Sequence, residues 1–326
     1  MRPPAKSNTG CSNESRVQMK QIKKFNVIIL GGGIAGMTAA IFAARANLKT
    51  VILEEAVCGG LANWTHSIEN FPSHISINGM ELMERVLSQV ENLGVEVDQA
   101  VEIERLSLGN ELKTVETESF TYTGDAVILA TGRQPIRLDL DIDSERVHSC
   151  AVCDGSAYIG KRVLVVGGGN SAFDETLYLL SLGIREIVIV EALDHCCAGG
   201  GVQKRVRRRD NVEIKNSTRV KAVEQETGLC RVTLENTATG KIEETFVDGV
   251  FVFIGQRPNT WLFSGHVDLD PDGYVVTSPN METSLSGVFA AGDVVRKTYR
   301  YLTTAMADGS IAAMRAERYI REAREG

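Results

Sequence analysis

Cys150 and Cys153 stand with two residues between them in the run Cys150-Ala151-Val152-Cys153-Asp154-Gly155. Two cysteines at this spacing can close a disulfide, and a thiolate in such a pair is often stabilised enough to exchange at neutral pH. Asp154 beside them is a candidate proton donor to a leaving thiolate. The competing chemistry is zinc binding, which needs a second ligand pair. Cys196 and Cys197 with His195 and Cys230 could supply one, although the expectation is that no metal is held. His148 lies close by in sequence and is read as an ordinary surface or core histidine.

A second kind of chemistry comes from two glycine turns. Gly31, Gly33 and Gly36 follow the apolar run Asn26-Val27-Ile28-Ile29-Leu30 and open an alanine-rich helical segment. A second apolar run, Thr50-Val51-Ile52-Leu53, then ends on Glu54. In such a unit the first glycine permits a tight turn and the second lets the backbone approach a pyrophosphate. The third lets helix and strand pack closely. Unpaired N–H groups at the helix start attract phosphate, and the acid accepts from ribose hydroxyls. The pattern recurs at Gly167, Gly169 and Ala172, with Asn170 and Ser171 opening the helix and Glu191 closing the second strand. An acid at that position suits a free ribose hydroxyl and repels a 2′-phosphate, so the second unit favours NADH over NADPH. The alternative is a nucleotide fold kept for its shape alone.

These residues need elements to position them. The chain has 326 residues, 43% of them hydrophobic, and a formal net charge of -7. That length suggests two domains. An acidic chain without basic-aromatic blocks excludes nucleic acid as the main partner. No apolar run reaches the ~18 residues of a membrane span. Seven cysteines are too sparse for a disulfide scaffold and point to a reducing compartment such as the cytoplasm. Residues 1–23 are polar and lack the apolar stretch of a signal peptide, so they are expected to form a disordered arm, with order beginning at Phe25. Further buried strands are expected in 125–132, 249–255 and 287–293, antiparallel sheets in 111–123 and 230–248, and a last helix from about Thr303 to Arg324.

Four stretches carry a resemblance to a known family. They are Gly31 to Ala40, Cys150 to Gly155, Gly167 to Leu179, and Gly292-Asp293 through Tyr299-Arg300. Along nearly all of residues 25–322 the chain resembles the low-molecular-weight thioredoxin reductases, which are FAD-dependent pyridine nucleotide-disulfide oxidoreductases. The resemblance implies an α/β chain of two Rossmann-like, three-layer domains, the second inserted into the first. FAD binding would occupy 24–136 and 260–326, and an NAD(P)H-type domain carrying the cysteine pair would span 137–259. FAD would rest on Gly31, Gly33, Gly36 and Glu54, with Gly59, Gly60 and Asn70 near the flavin. Gly292 and Asp293 would hold its ribityl and phosphate part, and Arg300 and Tyr301 would lie close to the ring. Cys153 would face the flavin, Cys150 would exchange with a thioredoxin-like partner, and Asp154 would serve as acid and base. Resemblance also implies a homodimer and a large rotation of the inserted domain about 130–132 and 255–258.

The sequence departs from that pattern in three places. Where NADPH-using members carry an arginine-rich run, this chain reads Glu191-Ala192-Leu193-Asp194-His195-Cys196-Cys197. Arginine forks suited to a 2′-phosphate are replaced by acids, which disfavours NADPH. Gly59-Gly60-Leu61, followed by Trp64, and Tyr299-Arg300-Tyr301 replace amides near the expected flavin. Trp64 or Tyr301 packing on the flavin and ordinary repacking are both open readings. Two other donor schemes remain. One takes electrons from ferredoxin or a similar acidic carrier, for which Lys204, Arg205 and Arg207 to Arg209 would be a docking patch. The other runs in reverse, as a dithiol oxidase that passes electrons to oxygen. The intact second glycine turn favours NADH.

Overall fold

In a computed structural model the chain is described over residues 20–140 and 145–325. It opens with β1 (Gln21–Leu30), α1 (Ile34–Arg45), β2 (Thr50–Leu53), α2 (Gly79–Asn92) and β3 (Glu96–Asp98). The meander β4 (Ile103–Ser107), β5 (Lys113–Thr117) and β6 (Phe120–Leu129) follows, and β7 (Arg133–Pro135) leaves the domain. β1 starts four residues earlier than expected. Gln21 to Phe25 pair in parallel with Phe120 to Gly124, and Lys23 Nζ contacts Glu96 at 2.6 Å and Asp98 at 3.1 Å. The expected arm over 1–23 is therefore corrected at its end, because cross-strand pairing extends a segment whose local polarity reads as a loop. Residues 1–19 lie outside the described residues.

The inserted domain comprises β8 (Val147–His148), α3 (Ala151–Asp154), β9 (Arg162–Val166), α4 (Asn170–Ser181), β10 (Glu186–Val190), α5 (Gly200–Arg207) and β11 (Val212–Lys215). An antiparallel sheet of β12 (Thr218–Gln225), β13 (Cys230–Asn236) and β14 (Ile242–Val247) is followed by β15 (Gly249–Val252). The main sheet has the order β11-β10-β9-β15-β8, all parallel. Both its faces are covered, which is why its strands read as continuous apolar runs. Val163, Val165, Ile187 and Ile189 pack against Phe173, Leu179 and Val206 of the helices. Leu164, Val166, Val188 and Val190 pack against Val232 and Leu234 of the antiparallel sheet.

The chain returns through β16 (Gln256–Pro258) and completes the first domain with β17 (Val288–Ala290) and α6 (Leu302–Glu325). The order of the first sheet is β3-β2-β1-β6-β5-β4, with β17 pairing in parallel to the end of β6. Val27, Ile29 and Ile128 face α1, α2 and α6, while Ile28, Leu30, Val127 and Leu129 face Val115, Tyr122, Phe263 and Val275. That alternation gives three layers, each fully buried aliphatic side chain stabilising the fold by about 1.5–3 kcal/mol. β7 and β16 pair antiparallel with the register Arg133↔Pro258, so the inserted domain hangs on one two-stranded ribbon. Gly132 (φ 63°) and Gly255 (φ 120°) turn the chain at its two ends.

Candidate active site

The first glycine turn lies at the carboxyl end of β1 and opens a cavity of about 1090 Å³. Gly36 has no room to spare, because a Cβ there would stand 2.0 Å from Gly31 O, whereas a Cβ on Gly33 would meet nothing within 4 Å. This is the division of labour expected of a phosphate turn: one glycine for close packing, another for an open backbone. Glu54 accepts from Gly32 N at 2.6 Å and from Ala56 N at 2.9 Å, which fixes it at the rim. Gly31, Gly33, Glu54, Gly59, Gly60, Asn70, Asp293, Arg300 and Tyr301 all line the cavity. Gly36 and Gly292 do not; Gly292 packs on Ala35 instead, where a Cβ would come within 2.7 Å. Arg133 Nε, Asp293 Oδ1 and Arg300 Nε, on residues lining the cavity, are buried without hydrogen-bond partners. An open phosphate turn with unpartnered polar groups fits a bound dinucleotide such as FAD.

The second turn opens a cavity of about 750 Å³, lined by Gly167, Gly169, Asn170, Ser171 and Glu191. Ala172 is fully buried behind it, in the helix core. A Cβ on Gly168 would stand 2.5 Å from Glu191 Oε2, whereas one on Gly169, like one on Gly33, would meet nothing within 4 Å. Glu191 Oε1 accepts from Leu193 N at 2.9 Å, the counterpart of the Glu54–Ala56 bond. The two cavities share a wall made by Leu61, Trp64, Thr65, Pro135, Ser171, Glu175 and Gln256. His66 and Tyr178 stack across the same junction, their rings 4.4 Å apart. In that wall Glu175 Oε2 is buried without a partner, and burial, helped by the Asp174 carboxylate, pushes the acid up to about 7.

Cys150 and Cys153 form a disulfide, and Cys153 N donates to Cys150 Sγ at 3.1 Å. Cys150 is buried and lines the second cavity, while Cys153 is exposed. Neither sulfur lines the first cavity, so the expectation that Cys153 faces the flavin is not met in this arrangement. The cause is the orientation of the inserted domain, which turns α4 rather than α3 toward that cavity. Asp154 also lies outside both cavities, and its carboxylate meets His148.

Sequence reasoning missed four groups. His148 bonds to Asp154, Glu175 sits at the junction, Arg133 Nη2 donates to Asp293 at 2.9 Å, and Lys297 pairs with Asp308 at 2.7 Å. A local signal existed only for Arg133, which directly follows the Thr131-Gly132 turn. Cys196 is buried beside Gly168, Cys197 is exposed, and Cys230 is buried under the antiparallel sheet. Among the described residues no group of three or more His, Cys, Asp or Glu is placed to hold a metal ion. No helix among them is long and apolar enough to cross a membrane.

Residues 25–309 match the model of the pyridine nucleotide-disulphide oxidoreductase family, whose enzymes use FAD and a pyridine nucleotide. The 34.2 kDa protein of the rubredoxin operon of Clostridium pasteurianum is 40% identical over 306 residues, covering 93% of this chain and 99% of that one. Thioredoxin reductase of Bacillus subtilis is 36% identical, covering 94% and 98%. The crystal structure of Lactococcus lactis thioredoxin reductase in its FR conformation is 32% identical and superposes with a TM-score of 0.86, covering 91% and 99%. The chain is an oxidoreductase that belongs to the pyridine nucleotide-disulphide oxidoreductase family, in its low-molecular-weight thioredoxin reductase branch.

Proposed function

We propose that this flavoenzyme passes two electrons from NADH, in preference to NADPH, to the Cys150–Cys153 disulfide and on to a thioredoxin-like protein. The observation that carries this reading is the shared wall between the two cavities, with the disulfide at the edge of the second. Bound in the first cavity, FAD supplies a two-electron carrier between nicotinamide and thiol chemistry. The protein's part is to hold reactants and protons. Gly33 and Gly169 leave backbone open for phosphates, and Glu54 and Glu191 stand where ribose hydroxyls would bind. Glu191 also supports the nucleotide preference, since its carboxylate repels a 2′-phosphate.

With Cys150 buried and Cys153 away from the first cavity, thiol exchange with a partner protein calls for a different orientation of the inserted domain. The β7–β16 ribbon, bounded by Gly132 and Gly255, supports a rotation at that point.

The test is anaerobic bleaching of the bound flavin by NADH, NADPH and reduced ferredoxin in separate titrations. NADH is expected to bleach it at lower concentration than NADPH. Bleaching by micromolar NADPH would overturn the preference, and bleaching by ferredoxin alone would replace the donor. Cys150→Ser is expected to abolish thioredoxin reduction while flavin bleaching continues. Normal thioredoxin turnover in that variant would refute the thiol route.

A further inference from the structure

Asp154 is the last residue of α3, a helix of four residues that cannot by itself fix a carboxylate. Its Oδ2 lies 3.2 Å from His148 Nδ1, and His148 Nε2 lies 2.7 Å from the Tyr158 hydroxyl. The His148 side chain is 13% exposed and the Asp154 side chain 40%, so the chain of contacts runs from the core outward. The imidazole packs against Tyr158 and Phe251, with ring centroids 5.3 and 5.1 Å away. Burial holds it below the usual histidine range; Asp154 opposes that shift and Arg146 adds to it. A neutral imidazole has one N–H. With that proton on Nδ1 it points at Asp154 Oδ2, and Nε2 accepts from the Tyr158 hydroxyl. Parallel pairing of His148 with Phe251 fixes the ring from the sheet side.

We propose that His148 is a positioning residue for thiol–disulfide exchange, holding the Asp154 carboxyl beside the Cys150–Cys153 pair while Tyr158 fixes the imidazole tautomer. The proposal rests on the disulfide reductase reading given above. In the step concerned, the Asp154 carboxylate takes the proton of the Cys150 thiol, and the resulting thiolate attacks one sulfur of the partner disulfide. A Cys150–partner bond forms, the partner's own S–S bond breaks, and its other sulfur leaves as a thiolate that receives this proton from Asp154. Cys153 then loses its proton to Asp154 and attacks Cys150 Sγ, the enzyme disulfide re-forms, and the second partner sulfur leaves and takes that proton. Two electrons have moved from the enzyme dithiol to the partner.

The experiment uses FAD-loaded protein brought to its dithiol state with a phosphine. Exchange rates are followed against pH with oxidised thioredoxin and with a small aromatic disulfide. Alkylation of Cys150 and Cys153 by iodoacetamide is followed by mass spectrometry over the same range. His148→Ala is expected to slow exchange with both disulfides about tenfold and to displace the pH profiles of exchange and alkylation. His148→Asn, whose amide N–H can take the place of Nδ1, is expected to keep the profiles and most of the rate. An unmoved profile and rate in His148→Ala would overturn the proposal, as would equal losses in both variants with unmoved profiles. If His148→Ala fails to fold, Tyr158→Phe must displace the profiles, and unmoved profiles there overturn it equally. Should the unaltered protein reduce the aromatic disulfide but not thioredoxin, the partner reading fails and the His148 comparison still stands on the small disulfide. Should it reduce neither, the thiol route fails and the alkylation profiles alone decide on His148.

Discussion

Glu191 Oε2 lies 2.5 Å from the point where a Cβ on Gly168 would stand, so the carboxylate closes over the middle of the second glycine turn. In the first turn the matching place, over Gly32, is held by Cys58 Sγ, 2.4 Å from where a Cβ would stand, while Glu54 accepts the Gly32 amide at 2.6 Å. Glu54 is thus anchored by its own turn and by Ala56 N, and Glu191 by the Leu193 amide just past it.

Replacing Glu191 by Arg removes a negative charge and adds a donor fork at the rim. The ratio of kcat/KM for NADPH over NADH is expected to rise by about tenfold or more, the equivalent of ~1.4 kcal/mol. Steady-state reduction of an artificial acceptor with each nucleotide measures it. An unchanged ratio would remove Glu191 from nucleotide selection.

Gly36→Ala forces a Cβ to within 2.0 Å of Gly31 O, a backbone atom with no freedom to retreat. The cost is expected to be about 1–3 kcal/mol, seen as a lower Tm and as flavin lost on gel filtration. The second unit already carries Ala172 in the matching place, fully buried. Ala172→Gly should therefore cost only about 1 kcal/mol, through backbone entropy.

Glu175 gives a pH dependence with a definite sign. Burial raises its folded-state value to about 7, well above that of an exposed glutamate. Between those two values the folded state binds more protons than the unfolded, so stability falls as pH rises through the window. Glu175→Gln is expected to be more stable than the parent above neutrality, by roughly 2–3 kcal/mol, and equal to it below about pH 4.5. Melting curves of the FAD-loaded protein across that range test this. A constant difference at all pH values would contradict it.

Much of the scaffold was legible because parallel strands buried on both faces read as unbroken apolar runs. Thr50–Leu53 falls where sequence reading predicts it, and Arg162–Val166 and Glu186–Val190 flank the second glycine turn as its pattern requires. The start of β1 was not legible, since Gln21 to Lys24 look like a loop until Phe120 to Thr123 pair with them. The turn residues of both cavities could be read from spacing, because the chemistry of a phosphate turn is local. Contacts made by tertiary packing could not. Arg133 meets Asp293 across 160 residues, and Glu175 owes its burial to the meeting of two domains. His148 is only six residues from Asp154 along the chain, yet its role depends on β8 taking its place beside β15.

The β7–β16 ribbon makes the inserted domain a cassette. Arg133 and Pro258 are register partners, so the chain departs and returns at neighbouring points on one ladder. A short peptide bridge between them would leave the two flanking segments as a continuous chain, with their seven-stranded sheet intact. The same two ends would accept a foreign domain whose termini lie equally close, so the inserted domain, disulfide included, could be exchanged while the rest of the chain keeps its core.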